Sequence, residues 1–346
     1  MVTRVALVVD TEDWAYFNIA KGVKKHISED YDIRIVALTL QDNNFNQSDR
    51  TRVLFTVQEC DIVHFFGPYF LSEDNIQILK KDVQALAGNF DDFHKEYLAH
   101  HTLSMGLYSH RFLTDNRSSD DDLNHMEFIL SQCPNYYVSS EKLFNECNKL
   151  PLPYMPKTVI TDVVDPDLFY PMNLQRFSDM DTRNIVIGWV GNSNWGPPEL
   201  DHKGLKTILK PAIEQLQDEG YRVIGKFADR NIEQTPHDDM VNYYSTIDLL
   251  VCVSRSEGTP NPVLEAMACG VPVISTDVGI VPEVLMGKQK EYIIDRNISS
   301  LKEKIIHLIN NTDEFAQLSK LNLEKIKPKN YKNVATQFKD YFDSIV

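Results

Sequence analysis

Two glutamates and the short stretch between them are the residues of this sequence best suited to chemistry. Glu257 and Glu265 are separated by seven residues. The first of these are Gly258, Thr259, Pro260, Asn261 and Pro262. Asn261 suits an N-cap and Pro262 suits the first helical position, so a short helix over about 262–269 is predicted. Glu257 then lies in a loop, and Glu265 lies about one turn into the helix.

The residues around this helix predict a site for an anion. Residues 249–253 form an unbroken apolar run, typical of a strand buried on both faces of a parallel sheet, and residues 271–275 predict the next strand. A strand, a loop rich in Gly and Pro, and a helix N-terminus together collect unpaired N–H groups and the positive end of the helix dipole. Phosphate is the expected anion. Carboxylates beside it would hold sugar or ribose hydroxyls by charge-assisted hydrogen bonds.

The same stretch resembles a known signature. The pattern S-x-x-E-G-x-P-x-x-x-L-E-A-M-A-x-G-x-P-V-I begins at Ser254 and is followed by Gly279 and Glu283. It resembles the donor site of retaining glycosyltransferases with the two-domain GT-B fold, specifically family GT4. The resemblance implies that Glu257 faces the transferred sugar and that Glu265 holds the ribose of the nucleotide.

Other residues in the second half of the chain match this family in part. Lys203 stands where relatives carry a lysine that reaches the donor diphosphate, whereas Asn192 replaces an expected arginine. We therefore expect Asn192, Ser193 or a residue from elsewhere to take part, and Arg230 either borders the base and the phosphates or is solvated. The predicted nucleotide-binding residues are Gly191, Asn192, Ser193, Lys203, Arg230, Gly258, Thr259, Pro260, Asn261 and Glu265.

The turn after the first predicted strand is expected to face the acceptor. Residues 4–9 predict that strand, and the turn lacks the glycines with which a dinucleotide-binding domain cradles phosphate. We interpret its acids as a helix cap and as groups facing the acceptor cleft, rather than as metal ligands. The acceptor-side residues are Asp10, Thr11, Asp13 and Trp14.

A histidine completes the predicted catalytic set. His110 closes a strand predicted from residue 102, and the resemblance implies that it lies beneath the transferred sugar. The catalytic residues are then Glu257, His110 and Lys203.

The predicted fold class is α/β, and its architecture by resemblance is GT-B. Two Rossmann-like, doubly wound parallel-sheet domains are expected to face each other across a cleft. The predicted domains are 1–168 on the acceptor side and 183–328 on the nucleotide-sugar donor side. A C-terminal helix within 329–346 has an amphipathic pattern, and the resemblance implies that it crosses back to the first domain.

Composition excludes several classes of partner. The net charge of −15 argues against nucleic acid and against a broad basic face for membranes, although a local patch leaves peripheral membrane contact open. No apolar run approaches the roughly 18 residues that a transmembrane helix needs. The five cysteines are odd in number and form no C-x-x-C pair, which indicates free thiols in a reducing compartment. The N-terminus reads as a strand rather than an export signal, so a cytoplasmic protein is expected.

These observations favour one function and leave others open. The leading hypothesis is a retaining glycosyltransferase of hexosyltransferase type that moves a sugar from a nucleotide-diphosphate-sugar to an acceptor hydroxyl in glycan or polysaccharide biosynthesis. The nucleotide sugar is a co-substrate, no cofactor or metal is required, and the acceptor is a glycan, a lipid-linked intermediate or a protein. The alternatives are a catalytically inactive sugar-nucleotide-binding protein and a GT-B nucleotide-sugar epimerase. Glycoside hydrolysis by the glutamate pair is a further alternative, against which the helix end and Lys203 argue.

Overall fold

The structure is a computed structural model in which the chain forms two compact units. The first unit comprises the residues up to Asp162 together with Tyr331–Val346, and the second is Val163–Asn330. The structure describes residues 2–10, 12, 15–38, 40–41, 44–45, 53, 56–87, 100–108 and 120–346.

The first unit is built on a five-stranded parallel sheet in the order β2-β1-β5-β6-β7. Its strands, with a separate two-residue hairpin β3-β4, are β1 (Thr3–Val9), β2 (Tyr31–Ala37), β3 (Leu40–Gln41), β4 (Asn44–Phe45), β5 (Ile62–Phe65), β6 (Thr102–Leu107) and β7 (Asn135–Val138). Its helices are α1 (Ala15–Ile27), α2 (Glu73–Ala87), α3 (Asp120–Gln132), α4 (Glu141–Cys147) and α11 (Tyr331–Ile345).

The second unit repeats this plan with a five-stranded parallel sheet in the order β12-β11-β10-β8-β9. Its strands are β8 (Ile185–Gly191), β9 (Val223–Asp229), β10 (Leu249–Cys252), β11 (Val273–Thr276) and β12 (Ile293–Ile294). Its helices are α5 (Lys210–Asp218), α6 (Met240–Tyr244), α7 (Asn261–Ala268), α8 (Val281–Val284), α9 (Ile298–Asn310) and α10 (Asp313–Ile326).

Both faces of the second sheet are covered. One apolar core packs α5 and α9 against the sheet, and a separate core on the other face packs α6 and α7. This arrangement explains the unbroken apolar sequence of β10, because side chains that point to either face enter a core. The predicted doubly wound α/β architecture is confirmed.

The last helix packs within the first unit. α11 buries an aromatic face that includes Phe338, Tyr341 and Phe342, and it lies along α1. The helices approach closely at Gly22, where an added Cβ would lie 2.2 Å from the ring of Tyr331. No helix in the described ranges combines the length and apolarity needed to cross a membrane.

Candidate functional site

A strand, a loop and a short helix carry the two glutamates of the predicted site. Strand β10 ends at Cys252, and α7 follows the loop as Asn261–Ala268, one residue earlier than predicted. The cap residue is Pro260, and no side chain accepts a capping hydrogen bond, so the prediction that Asn261 is the N-cap is wrong. Pro262 lies in the first turn, where its missing N–H costs nothing.

The far end of α7 is closed by a glycine. Gly270 has φ +72° and therefore occupies the left-handed region that favours this residue. Its N–H donates to Met267 O at 3.0 Å, and the Val271 N–H donates to Ala266 O at 2.8 Å, which is the Schellman arrangement. The tight end returns the chain directly into β11.

An ion pair joins two of the three predicted catalytic residues, Lys203 and Glu257. Lys203 Nζ lies 2.5 Å from Glu257 Oε1, and the side chains are 23% and 14% exposed. Burial disfavours the ammonium, but attraction to Glu257 and the hydrogen bond to it prevail and raise the pKa of Lys203. Lys203 is therefore charged at neutral pH and is held in place beside Glu257.

The loops that carry this pair are fixed to each other by backbone contacts. Gly204 has φ +70°, and an added Cβ would lie 2.4 Å from Val253 O. Arg296 donates from Nε to the same Val253 oxygen at 2.9 Å and from Nη2 to Asp201 O at 2.5 Å. Arg296 thus bridges the segment before Lys203 and the end of β10.

The loop that contains Glu257 is in direct backbone contact with a second glycine, Gly279. The Ile280 N–H donates to Gly258 O at 3.1 Å. A Cβ added at Gly279, where φ is +46°, would lie 1.7 Å from that oxygen and 2.9 Å from Glu257 O. Only glycine fits there, because the two backbones are in direct contact.

The first turn of α7 has fewer unpaired backbone N–H groups than a helix N-terminus usually has. The Asn261 N–H donates to Thr259 O at 3.0 Å, the Val263 N–H donates to Pro260 O at 2.8 Å, and Pro262 has no N–H. In contrast, neither Gly258 nor Thr259 donates its N–H to a backbone carbonyl within the described part of the chain. The donors available to an anion therefore include these two loop amides ahead of the helix.

Glu265 is held one turn into α7 by two side chains. It is buried, and its Oε2 accepts a 2.6 Å hydrogen bond from the Tyr244 hydroxyl. Its Oε1 lies 3.4 Å from Nε2 of His237. The hydrogen bond with Glu265 raises the pKa of His237, while burial opposes this effect.

The loop after β8 borders the same edge of the sheet as β10, because strands of a parallel sheet end together. The Ser193 N–H donates to Asp229 Oδ1 at 3.0 Å, and Ser193 is buried. Asn192 Oδ1 accepts from the Asn194 N–H at 2.9 Å, so this amide already stabilises its own turn. Arg230 has an exposed side chain and joins the loop through its N–H, which donates to Gly191 O at 2.8 Å.

Two ammonium groups, those of Lys203 and Lys206, contact this loop. The Trp195 ring centroid lies 5.5 Å from Lys203 Nζ, within the range of a cation–π contact. Lys206 Nζ donates to Asn194 Oδ1 at 2.6 Å, which places a second ammonium at the loop where the expected arginine is missing. The positions of Trp195 and Lys206 were not anticipated from the sequence.

The structure therefore groups most of the predicted donor residues. The residues brought to this edge of the second sheet are Gly191, Asn192, Ser193, Lys203, Arg230, Glu257, Gly258, Thr259, Pro260, Asn261 and Glu265. Asp10 lies just past β1 and is buried in the first unit. Thr11, Asp13, Trp14 and His110 lie outside the described residues, so their predicted roles stay predictions. No group of three or more His, Cys, Asp and Glu among the described residues is arranged to hold a metal ion.

Sequence reasoning missed the groups that support the two glutamates. These groups are His237 from a short 3-10 helix before α6, Tyr244 from α6, and Arg296 from the segment after β12. None of them belongs to the matched signature, and no spacing in the sequence relates them to Glu257 or Glu265.

Comparisons with known proteins agree with this geometry. Residues 230–324 match the family described as "Glycosyl transferases group 1". An uncharacterised glycosyltransferase of Methanocaldococcus jannaschii is 38% identical over 77 residues, which are 22% of this chain and 22% of that protein. LpsB, a lipopolysaccharide core biosynthesis mannosyltransferase of Rhizobium meliloti, is 42% identical over 64 residues, which are 18% of each chain. These matches span about a fifth of the length of the curated relatives.

A structural comparison extends over the whole chain. HepE of Anabaena, solved in complex with UDP and glucose, aligns with a TM-score of 0.64 and 14% identity, covering 99% of this chain and 100% of that one. At this identity the likeness establishes the fold alone. Residues 230–324 thus match the group 1 glycosyl transferase family, and the fold of the chain is GT-B.

Proposed function

We propose that the protein is a retaining glycosyltransferase of family GT4 that moves a sugar from a nucleotide-diphosphate-sugar to an acceptor hydroxyl. The observation that carries this proposal is the 2.5 Å pair of Lys203 and Glu257 at the loop that leads into α7. It sets a fixed positive charge beside a carboxylate, with the Gly258 and Thr259 amides and the dipole of α7 close by in the chain. This combination suits a diphosphate that leaves from a sugar.

The proposed step breaks the bond between the anomeric carbon and the diphosphate oxygen and forms a bond from that carbon to the acceptor oxygen on the same face. The acceptor proton passes to the departing phosphate oxygen, so no protein base is needed. Lys203 stabilises the charge that grows on the diphosphate. Glu257 faces the transferred sugar, and Glu265 holds the ribose. Because these groups compensate the charge, the proposed reaction requires no bound cofactor.

The relatives suggest where to look for substrates. HepE was solved with UDP, so a UDP-sugar is the first donor to test, and LpsB acts in the biosynthesis of a lipopolysaccharide core. We propose a glycan, a lipid-linked intermediate or a protein side chain as the acceptor, in polysaccharide or glycan biosynthesis. The proposal places the protein in the cytoplasm. Asp10, with Thr11, Asp13 and Trp14, is proposed to contribute to the acceptor side. His110 is proposed to lie beneath the transferred sugar as a catalytic residue.

The proposal is tested in two stages. A thermal-shift panel of nucleoside diphosphates and nucleotide sugars identifies the donor, because a ligand that binds only the native state raises the melting temperature. Transfer is then measured with this donor for the wild type, Glu257→Ala and Lys203→Ala. Both variants should lose at least about a hundredfold in turnover while remaining folded.

Lys149→Ala is the matched control, since Lys149 forms a 2.9 Å pair with Glu146 on the surface of the first unit. It should keep wild-type transfer. Near-normal turnover in both Glu257→Ala and Lys203→Ala would refute the proposed function.

One observation favours a second candidate, a sugar-nucleotide-binding protein without turnover. Asn192 replaces the expected arginine and uses its side-chain oxygen within its own turn, so this position supplies no positive charge to a diphosphate. Tight binding of a nucleotide sugar by calorimetry, with no transfer to any acceptor in a panel, would support this candidate over the enzyme.

A further inference from the structure

The two carboxylate oxygens of Glu265 are held differently. Oε2 accepts a short hydrogen bond of 2.6 Å from Tyr244, whereas Oε1 has a longer contact of 3.4 Å with Nε2 of His237. A carboxylate oxygen has two lone pairs, so the long contact leaves Oε1 able to accept a second donor. Tyr244 therefore fixes the orientation of the carboxylate, and Oε1 is the oxygen open to a ligand.

His237 occupies a half-exposed position beside this oxygen. Its side chain is 43% exposed, while that of Glu265 is 12% exposed. One edge of the imidazole is packed by Phe169, whose ring centroid lies 5.2 Å away, and Phe169 also packs on Tyr244 at 6.0 Å. The aromatic contact holds His237 against Glu265 and leaves the rest of the ring accessible.

The charged and titratable groups around His237 favour its charged form. Glu265 of α7 faces the imidazole of His237, and Tyr244 of α6 donates a hydrogen bond to the same carboxylate. Two more acids act on His237: Asp238, the next residue in the chain, and Asp165, in the segment before β8. The hydrogen bond to Glu265 has the largest effect and raises the pKa of His237, burial opposes it, and attraction to the three acids adds to it. His237 therefore binds a proton more readily than an unperturbed histidine does.

We propose that His237 is a positioning residue that presents Oε1 of Glu265 to the vicinal diol of a nucleotide's ribose, and that its protonation strengthens nucleotide binding. The inference rests on the proposed function, in which Glu265 binds the ribose. A buried carboxylate next to an anionic diphosphate is electrostatically unfavourable, and a charged imidazole on its other side offsets that repulsion. The Nε2–H of His237 also holds the Glu265 carboxylate in the orientation that receives the ribose hydroxyl.

The test is calorimetric titration with UDP at about pH 6 and about pH 8, at constant ionic strength. His237→Gln keeps a neutral donor near the position of Nε2 but does not titrate, and His237→Ala removes the contact. His307→Gln is the matched control, because His307 pairs with Glu314 at 3.2 Å and is also 43% exposed. UDP itself changes protonation between the two pH values, and this change is the same with all four proteins. It therefore cancels when the ratio of the affinities at pH 6 and pH 8 is compared between proteins.

The wild type and His307→Gln should bind UDP about threefold to tenfold more tightly at pH 6 than His237→Gln does, the difference expected when a charged hydrogen bond becomes a neutral one. At pH 8, where less of the imidazole is protonated than at pH 6, the affinities of these three proteins should differ less. His237→Ala should bind more weakly than the wild type at both pH values.

Equal pH ratios for the wild type and His237→Gln, or wild-type affinity in His237→Ala, would overturn the inference while leaving the nucleotide site intact. If the wild type binds neither UDP nor any other nucleoside diphosphate at either pH, the proposed function fails as well. That outcome is distinguishable, because it involves the unmodified protein.

Discussion

Gly204 lies directly against the carbonyl oxygen of Val253, at a separation that no other residue type can adopt. An added Cβ would be 2.4 Å from that oxygen, and the backbone at Gly204 is left-handed with φ +70°. Lys203 precedes this glycine, and Glu257 follows the end of β10 by a few residues. The contact therefore sets the spacing between the two segments whose side chains form the ion pair.

Gly204→Ala should impair transfer more than it impairs folding. The substitution adds strain of about 1–2 kcal/mol for the left-handed backbone and forces the Lys203 segment away from Val253. A displacement of about 1 Å at a reacting centre reduces turnover by about a hundredfold. Turnover and the free energy of unfolding should be measured on the same preparation.

Gly220→Ala provides the control for that experiment. Gly220 also has a positive φ, +89°, but an added Cβ would meet nothing within 4 Å. It should lose a similar amount of stability from backbone strain and keep its turnover. If Gly204→Ala also keeps full turnover, the contact with Val253 does not position Lys203.

Gly279 should tolerate substitution by alanine less well than Gly204 does. In Gly279→Ala the new Cβ would lie 1.7 Å from Gly258 O, so the loop that carries Glu257 must move. We expect a loss of about 3 kcal/mol in the free energy of unfolding, from overpacking and the left-handed backbone together, and loss of nucleotide binding. Gly287→Ala, at φ +61° with no neighbour within 4 Å, should show the strain alone. Denaturant unfolding and UDP titration measure both effects, and equal behaviour of the two variants would contradict the prediction.

Arg296 should act on turnover through the loops that it bridges. Its Nε donates to Val253 O, and its Nη2 donates to Asp201 O. Burial has the largest effect on the pKa of Arg296 and lowers it, and the positive charge of Arg255 lowers it further, while Asp201 partly opposes both effects. Lysine cannot reproduce two donors in a planar fork, so Arg296→Lys should lose about tenfold in kcat/KM.

Arg222→Lys is the control for Arg296→Lys, since Arg222 also donates to a backbone carbonyl in this unit but is exposed. It should keep wild-type kinetics. An Arg296→Lys variant with wild-type kcat/KM would show that the two loops hold their spacing without this bridge.

Much of the fold was accessible from the sequence because it depends on local pattern. The apolar run of β10, the proline at the start of α7 and the glycine after it predicted that helix to within one residue at each end. Lys203 was identified by resemblance, and the structure places it against Glu257. Periodicity and turn chemistry act over a few residues, which is why these predictions succeeded.

The supporting contacts were not accessible in the same way. Arg296 reaches Val253 from the segment after β12, and β11 lies between β12 and β10 in the sheet. His237 reaches Glu265 from a short 3-10 helix before α6. Such contacts depend on which strands are neighbours in the sheet. A single sequence carries no pattern that records this order. The N-cap assignment of Asn261 was wrong because the helix already begins at Asn261, which makes Pro260 the cap residue.

A buried histidine in the first unit leads to a prediction about pH and stability. His64 is fully buried, its Nδ1 lies 2.7 Å from Ser104 Oγ, and within the described part of the chain its Nε2 has no hydrogen-bond partner. Its ring stacks on Tyr137 at 5.4 Å and contacts Phe338 of α11 edge to face. Burial in this aromatic environment lowers the pKa of His64 to about 3.

The sign of the effect follows from the proton balance. Between about pH 6.5 and about pH 3 the unfolded chain binds a proton at His64 that the native state does not bind, so acid favours unfolding. The contribution of His64 to stability is complete above about pH 6.5 and decreases by up to about 1.4 kcal/mol for each pH unit below it.

His64→Phe combined with Ser104→Ala replaces the titrating ring by an apolar one and leaves no unpaired hydroxyl, so the stability of this double variant should decrease less steeply with acid. Ser104→Ala alone keeps the histidine and should retain the wild-type slope. Urea unfolding of the three proteins between pH 7 and pH 5 measures the slopes, and parallel curves for the double variant and the wild type would show that His64 does not contribute to acid sensitivity.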